Sequence, residues 1–242
     1  MIDIIIPIWN EGAVTVKCLK SIKKHTKDYR LILIDNGSRP DEWRQVEKEA
    51  HRHSNVFVIH NDENLGFVKA TNQGIATSTA EKIILMNNDT EAVAGWVDGM
   101  LQVFSVHDRI GVVAPMCSIA DSWQNIEKLK EAWGEELPCE GYKKVDGMVA
   151  FFCTMIDREV IRKVGYLSED FGIGLGDDDW YCHLVHEAGF DIYLTKNVVI
   201  PHHHRTSFKK LYTPEQLREV QTNNILKFKS KVAEGTGDFK II

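Results

Sequence analysis

The sequence predicts an α/β fold, a doubly wound and mostly parallel sheet flanked by helices. Three observations predict it. Short, almost wholly apolar runs recur along the chain, as strands covered on both faces require. Helical patterns separate these runs, giving repeated β-α alternation. The runs also break abruptly into polar residues at their carboxyl ends, where open α/β sheets bind their ligands.

The first run covers residues 2–8, with Pro7 near its end, where a missing ladder donor does least harm. A helix follows, with Val14, Cys18 and Ile22 four residues apart. Lys20, Lys23, Lys24 and Lys27 crowd its C-terminal end, where cations complement the helix dipole. Residues 31–34 form a second strand, stopped by Asp35-Asn36-Gly37-Ser38, and Pro40 fits the first turn of a helix running to about His53. Residues 56–59 are a third strand, 61–66 a loop, 67–76 a helix and 82–86 a fourth strand. A helix around 93–104 and a strand at 110–114 come next. The pattern weakens over 116–144, which carries Trp123 and Trp133 among many acids. It resumes in a long apolar segment, 145–156, broken by Gly147. A helix is expected from about Asp177 to Gly189, then strands at 190–194 and 198–200 leading into three histidines. Thr213 is a candidate N-cap and Pro214 the first residue of a final helix, with a frayed tail from Ala233.

With 43% of its 242 residues hydrophobic, the chain can bury one sizeable core. A formal net charge of -6 argues against a general nucleic-acid binder. No apolar run approaches the roughly 20 residues that span a bilayer. Met1-Ile2-Asp3 opens directly into a strand without a basic leader, so a cytoplasmic location is expected. Five cysteines are scattered, odd in number and without a C-x-x-C pair, which predicts reduced, mostly buried thiols.

Five constellations carry candidate chemistry. Asp35-Asn36-Gly37 is either a turn or a ligand contact in which the Asp35 carboxylate accepts from a ring N–H. Asn64, Gly66, Phe67 and Asn72 mark a loop where glycine permits close approach and a helix N-terminus aims N–H groups at an anion. Asn87, Asn88 and Asp89 end the fourth strand, and Asp89 offers hard oxygens to a divalent ion held mainly by a substrate's phosphates. Asp177-Asp178-Asp179 follows glycines at 172, 174 and 176. One of these acids is expected to cap the helix, while crowding raises a carboxyl pKa toward general-base duty. In His202-His203-His204 an extended chain puts 202 and 204 on one face, and an imidazole there suits a metal.

In this order, these segments resemble the family 2 glycosyltransferases of the GT-A fold. Pro7-Ile8-Trp9-Asn10-Glu11 is similar to that family's opening Pro-Val-Tyr-Asn-Glu. Asp35-Asn36-Gly37-Ser38 resembles its Asp-x-Gly-Ser turn, and Asn64-Leu65-Gly66-Phe67 with Asn72-Gln73-Gly74 its donor loop. Asn87-Asn88-Asp89 stands where the family carries Asp-x-Asp, with Asn87 replacing the first aspartate. Asp177-Asp178 with Ala188-Gly189-Phe190 resembles its Glu-Asp catalytic motif and the Ala-Gly-Tyr beyond it, with Trp180 where a further acid is common.

The resemblance implies an inverting transfer from a nucleotide-diphosphate sugar, with uridine the expected base and guanosine or thymidine open. It implies Mn²⁺ or Mg²⁺ held by Asp89 with His202 or His204, and a base among Asp177, Asp178 and Asp179, with Asp178 preferred. Donor contacts would come from Pro7, Trp9, Asn10, Glu11, Asp35, Asn36, Gly37, Asn64, Gly66, Phe67, Asn72, Asn87 and Asn88. Asp146, Gly147 and Trp180 would face the acceptor, a glycan, lipid-linked or protein hydroxyl; a lipid-linked acceptor leaves room for peripheral membrane association. Residues 1–115 would form the nucleotide-sugar half, 116–208 the smaller acceptor and catalytic half, and 209–242 a terminal helix and tail. Asn87 and Trp180 favour an alternative, a catalytically inactive sugar-nucleotide-binding subunit. A sugar-1-phosphate nucleotidylyltransferase would need a basic glycine-rich loop where Trp9-Asn10-Glu11-Gly12 stands.

Overall fold

A computed structural model describes residues 1–118, 122, 124–125, 141–172, 174–203 and 212–234. Trp123, Trp133, Cys139 and His204 lie outside them. Eight strands make one sheet: β1 (Ile2–Ile8), β2 (Tyr29–Asn36), β3 (Val56–Asn61), β4 (Lys82–Met86), β5 (Ile110–Cys117), β6 (Tyr142–Val145), β7 (Cys153–Asp157) and β8 (Asp191–Ile200), in the order β3-β2-β1-β4-β7-β5-β8-β6. The helices are α1 (Gly12–His25), α2 (Pro40–Ala50), α3 (Phe67–Thr77), α4 (Trp96–Phe104), α5 (Arg158–Val164), α6 (Asp177–Glu187) and α7 (Pro214–Glu234).

The sheet is covered on both faces, which is why its central strands are mostly apolar. Ile4, Ile6 and Ile8 pack with Cys18, Leu19 and Ile22 of α1, Val46 of α2 and Trp96 and Met100 of α4. Ile5, Ile32 and Ile34 pack with Val68 and Ile75 of α3, Val160 of α5 and Tyr181 and Val185 of α6. The β1–β4 ladder runs from Asp3 to Ile5 and stops before Pro7, so the missing N–H costs no bond there.

Several features refine or depart from the expected elements. The 145–156 segment is not one strand: β6 ends at Val145, residues 146–152 form a connection, and β7 begins at Cys153. β7 runs antiparallel between β4 and β5, and β6 runs antiparallel to β8, so the mostly parallel sheet is mixed. The two strands expected at 190–200 are a single strand, β8, whose register against β5 shifts between Pro115 and Met116. Helix α5, unanticipated from the sequence, starts at an Asp157 side chain that accepts from the Glu159 N–H at 2.8 Å. At the start of α7, Thr213 and Gln216 bond reciprocally: the Gln216 N–H donates to Thr213 Oγ1 at 3.2 Å and the Thr213 N–H to Gln216 Oε1 at 2.8 Å. Cys18, Cys117, Cys153 and Cys182 are buried free thiols. Among the described residues no helix is long and apolar enough to cross a membrane.

Candidate active site

Because β3, β2, β1 and β4 are parallel neighbours, their carboxyl ends share one rim. That rim collects Trp9-Asn10-Glu11, Asp35-Asn36-Gly37, Asn64-Leu65-Gly66-Phe67 and Asn87-Asn88-Asp89. Chain order reverses between β1 and its two neighbours, the switch point at which open sheets form a crevice.

The β1–α1 turn is strained and strapped. Asn10 and Glu11 both take left-handed backbone, at φ 55° and 56°. The Asn10 N–H donates to Ser38 Oγ at 2.9 Å, and Asn10 Oδ1 accepts from the Arg39 N–H at 2.9 Å. The Gly12 N–H donates to Glu42 Oε2 at 2.7 Å, so a carboxylate already occupies the start of α1. Asp35 Oδ1 accepts from the Ser38 N–H at 3.0 Å, and its Oδ2 lies 3.1 Å from His60 Nδ1, a neighbour the sequence did not flag. Asn36 Oδ1 accepts from Asn61 and from the Leu65 N–H, while its Nδ2 donates to Asn64 Oδ1 and the Gly66 carbonyl. Its amide is thus committed to shaping the 61–66 loop. Asn72 is committed too, with both amide atoms on the backbone of Leu167, and Asn88 donates to Thr15 Oγ1 at 2.9 Å.

Asp89 and His202 are brought together. Past β4 the chain zips to the end of β8: the Glu91 N–H donates to the Pro201 carbonyl and the His203 N–H to the Asp89 carbonyl, at 2.9 and 2.8 Å. This pairing sets the expected alternation. His203 faces outward to Glu91 at 2.8 Å, and His202 faces inward, its Nε2 3.1 Å from Asp89 Oδ1. Both inward side chains are more than nine-tenths buried. The Phe152 ring stacks on His202 at 5.1 Å and 15°, and the Phe152 carbonyl accepts from the Asn87 N–H at 2.8 Å. Asn87 Oδ1 is buried and makes no hydrogen bond among the described residues. A buried carboxylate oxygen, an imidazole nitrogen and an uncommitted amide oxygen fit a hard divalent cation whose remaining ligands come from phosphates.

The three acids open α6. Gly176 is the N-cap, so none of the three takes the capping position expected of one of them. Instead the Asp179 N–H donates to Asp178 Oδ1 at 3.1 Å. Burial, and then the charges of Asp177 and Asp179, push the Asp178 carboxyl well above the usual carboxylate range. Burial and the neighbouring Asp179 raise Asp177 to about 6, and burial raises Asp179.

One short segment ties this helix to the Asp89–His202 pair. The Val149 N–H donates to Cys182 Sγ, one turn into α6, while Phe152 holds Asn87 and His202. Val149 and Phe152 are three peptide units apart, so their Cα atoms lie at most roughly 11 Å apart. From the donor-loop side, Gly66 faces the glycine-rich loop before α6: a Cβ on Gly66 would lie 3.6 Å from the Gly172 carbonyl oxygen.

The expected acceptor residues lie along α6. His186, at the far end of α6, approaches the Gly147 carbonyl at 3.1 Å, which places Asp146 and Gly147 about 13 Å along the helix from Asp177. Trp180 is 4% exposed, with Phe228 edge-on at 6.2 Å and Lys231 over its ring at 5.2 Å, both from α7. It anchors that helix rather than facing an open cleft.

The model of the family described as glycosyl transferase family 2 matches residues 3–165. This chain belongs to that family. The chain is also similar to glycosyltransferase GlyG of Streptococcus pneumoniae serotype 4, 26% identical over 114 residues, which cover 47% of this chain and 38% of that protein. The pre-mycofactocin glycosyltransferase of Mycobacterium tuberculosis is 22% identical over 217 residues, covering 86% of this chain and 44% of that one. The chain therefore spans less than half the length of these relatives. Among solved structures, mannosyltransferase PcManGT from Pyrobaculum calidifontis in complex with GDP-Man and Mn²⁺ matches with a TM-score of 0.73 at 14% identity, over 96% of this chain and 64% of that one. GalNAc-T7 with UDP, GalNAc and Mn²⁺ matches with a TM-score of 0.70 at 16% identity, over 86% and 44%. The shared fold is the GT-A type.

Proposed function

We propose that this chain transfers a sugar from a nucleotide-diphosphate sugar to an acceptor hydroxyl with inversion at the anomeric carbon. The observation that carries the reading is that residues 149–152 contact the Asp89–His202 pair at one end and Cys182, one turn beyond the three acids in α6, at the other. Family membership supports transfer as the reaction class. Asp89 and His202, with Asn87 two residues before Asp89 and His204 as further candidates, would hold Mn²⁺ or Mg²⁺. When bound, such an ion supplies positive charge against the departing diphosphate.

The rim residues Trp9, Asp35, Gly37, Gly66 and Phe67 orient the nucleotide, the Asp35 carboxylate and His60 meeting the base edge together. Uridine is the preferred base. Asp178 removes the proton from the acceptor hydroxyl as that oxygen attacks the anomeric carbon, and the carbon–oxygen bond to the diphosphate breaks on the opposite face. Inversion follows from base and leaving group acting on opposite sides of one carbon. Asp178 suits this role because burial and two neighbouring acids favour its taking up a proton.

Replacing Asp178 by Asn tests the reading. Turnover of a UDP- or GDP-sugar panel should fall by about 10²- to 10⁴-fold, while nucleotide affinity in calorimetry stays within roughly threefold, since the carboxyl serves the reacting hydroxyl and not the donor. Full turnover in Asp178→Asn removes that residue from the mechanism. Nucleotide binding by the unaltered chain without transfer or donor hydrolysis on any acceptor would instead favour the non-catalytic subunit that Asn87 allows.

A further inference from the structure

Helix α7 lies beyond the residues matched by the family model and is exposed along most of its length, with Leu217 and Asn224 its buried residues. An asparagine in a helix interior is costly to bury without partners. Asn224 is 5% exposed and has three: its Nδ2 donates to the carbonyls of Phe171, Gly174 and Leu175 at 3.3, 2.8 and 3.1 Å. These carbonyls belong to the loop that delivers the three acids. Gly172, Gly174, Leu175 and Gly176 all have positive φ, at 59°, 110°, 66° and 142°. No regular ladder can satisfy backbone wound that way, and a left-handed leucine persists only where its surroundings hold it. A Cβ on Gly176, the N-cap of α6, would lie 3.2 Å from the Cβ of Asn224.

The rest of the same face of α7 fastens the helix on either side of this clamp. Lys227 donates to the Asp170 carbonyl, Phe228 meets Trp180, and Lys231 pairs with the Asp170 carboxylate at 2.6 Å. Positions 224, 227, 228 and 231 form one helical stripe.

We propose that Asn224 is a positioning residue for the proposed base, its amide clamping the 171–176 loop so that Asp177, Asp178 and Asp179 enter α6 at a fixed place and depth. The inference rests on the reading of Asp178 given above. The titratable groups around the Asp178 carboxyl are Asp177 and Asp179 on its own turn and Cys182 one turn on, which burial keeps protonated. The cations that α7 brings to this loop, Lys227 and Lys231, are committed to Asp170.

The test needs no substrate. Aspartate carboxyl titrations followed by ¹³C NMR, and amide exchange over residues 171–179 followed by mass spectrometry, are compared in the unaltered protein, Asn224→Ala, Asn224→Ser and Asp178→Asn. Loss of the shared amide donor should speed exchange at 172–179 by about tenfold. It should also move the raised carboxyl midpoints down toward the ordinary range, with Asn224→Ser intermediate because its hydroxyl keeps one donor. A helix that merely docks would change the melting temperature and leave those midpoints alone, so an Asn224→Ala protein with unaltered midpoints and exchange overturns the proposal. Should that variant fail to fold, Asn224→Ser decides by the same two readouts. In the unaltered protein the Asn224 side-chain amide protons should exchange slowly, and rapid exchange would also refute the clamp. Turnover retained by Asp178→Asn would sink the base assignment and leave the exchange and titration results standing, so the two failures are distinguishable.

Discussion

Asp178 sits where a carboxylate is least comfortable, half-buried between two others at the start of a helix. A carboxyl raised in the fold binds protons that the unfolded chain has released. Stability at this site is therefore greatest below the ordinary carboxylate pKa and declines as pH rises through that value to the raised one. The penalty grows over that interval and is complete only once pH exceeds the raised value. Asp178→Asn should accordingly melt higher than the unaltered protein at pH 7 to 8, by roughly 2–4 °C for each kcal/mol relieved, even as it loses turnover; a lower melting temperature would contradict the crowding. The same charges set the acid limb of activity. A base must be deprotonated to act, so turnover should fall on acidification with a midpoint above the usual carboxylate range. Removing one like charge in Asp177→Asn lowers the Asp178 pKa and should move that limb to lower pH; an unmoved limb would separate Asp177 from the reacting group. At this scale the sequence was informative where local rules decide. Asp89 was legible because ligands gather at strand ends, and the inward turn of His202 because extended chains alternate. Trp180 and Asn224 were not, because what covers Trp180, and what Asn224 reaches, comes from a helix docked across a long sequence separation.

Among the elements, the opposite end of the sheet carries the clearest stability claim. Asp3 interrupts an apolar strand and is fully buried. Its Oδ2 accepts from Arg30 Nη2 at 2.5 Å and Ser78 Oγ at 2.6 Å, and from the N–H groups of Thr79 and Ala80, while Oδ1 accepts from Arg30 Nε at 3.0 Å. One carboxylate thus stitches β1, β2 and the turn into β4. Burial alone would raise its pKa, but the bonds from Arg30 and Ser78 outweigh burial and hold it below the usual carboxylate value. The stability it supplies is therefore complete above the unfolded pKa of about 3.9 and lost as pH falls through the depressed folded value. Asp3→Ala, which strands Arg30 and the Ser78 hydroxyl, should cost about 3–5 kcal/mol in urea unfolding at pH 7, and the gap to the unaltered protein should narrow in acid. A cost below about 1 kcal/mol would mean that the pair behaves as an exposed one. Strands β1 to β4 were legible because each is a short apolar run with a polar stop. β7 was not, because 148–156 is almost wholly apolar and only pairing with β4 and β5 decides where the strand begins. Helix α5 spans seven residues, too few for its period to register. In β8, polar Lys196-Asn197 at the register shift reads as an interruption.

On the scale of the molecule, the rim at the carboxyl ends of β1–β4 carries Asp89, which pairs with His202, and Gly66 on the same rim approaches Gly172 of the glycine-rich loop before α6, although His202 and that loop lie in the last third of the chain. The antiparallel insertion of β7 between β4 and β5 makes this possible, since the connection leading into it, residues 149–152, reaches both the histidine and α6. A donor that touches all three parts binds only the assembled fold, so its binding energy adds to folding stability. At a concentration 100 times its dissociation constant the gain is about 2.7 kcal/mol, which for a chain of this size raises the melting temperature by roughly 5–11 °C. UDP- and GDP-sugars should therefore separate in a thermal-shift series with Mn²⁺, and the recognised base should give the larger rise. EDTA should abolish most of that rise, because in the proposed site Asp89 and His202 would hold the diphosphate only through the ion. Asp89→Asn should blunt it in the presence of Mn²⁺ while leaving the ligand-free melting temperature within a few degrees. A shift of full size in metal-stripped protein would show that the diphosphate is held without the ion, and would take Asp89 and His202 out of donor binding.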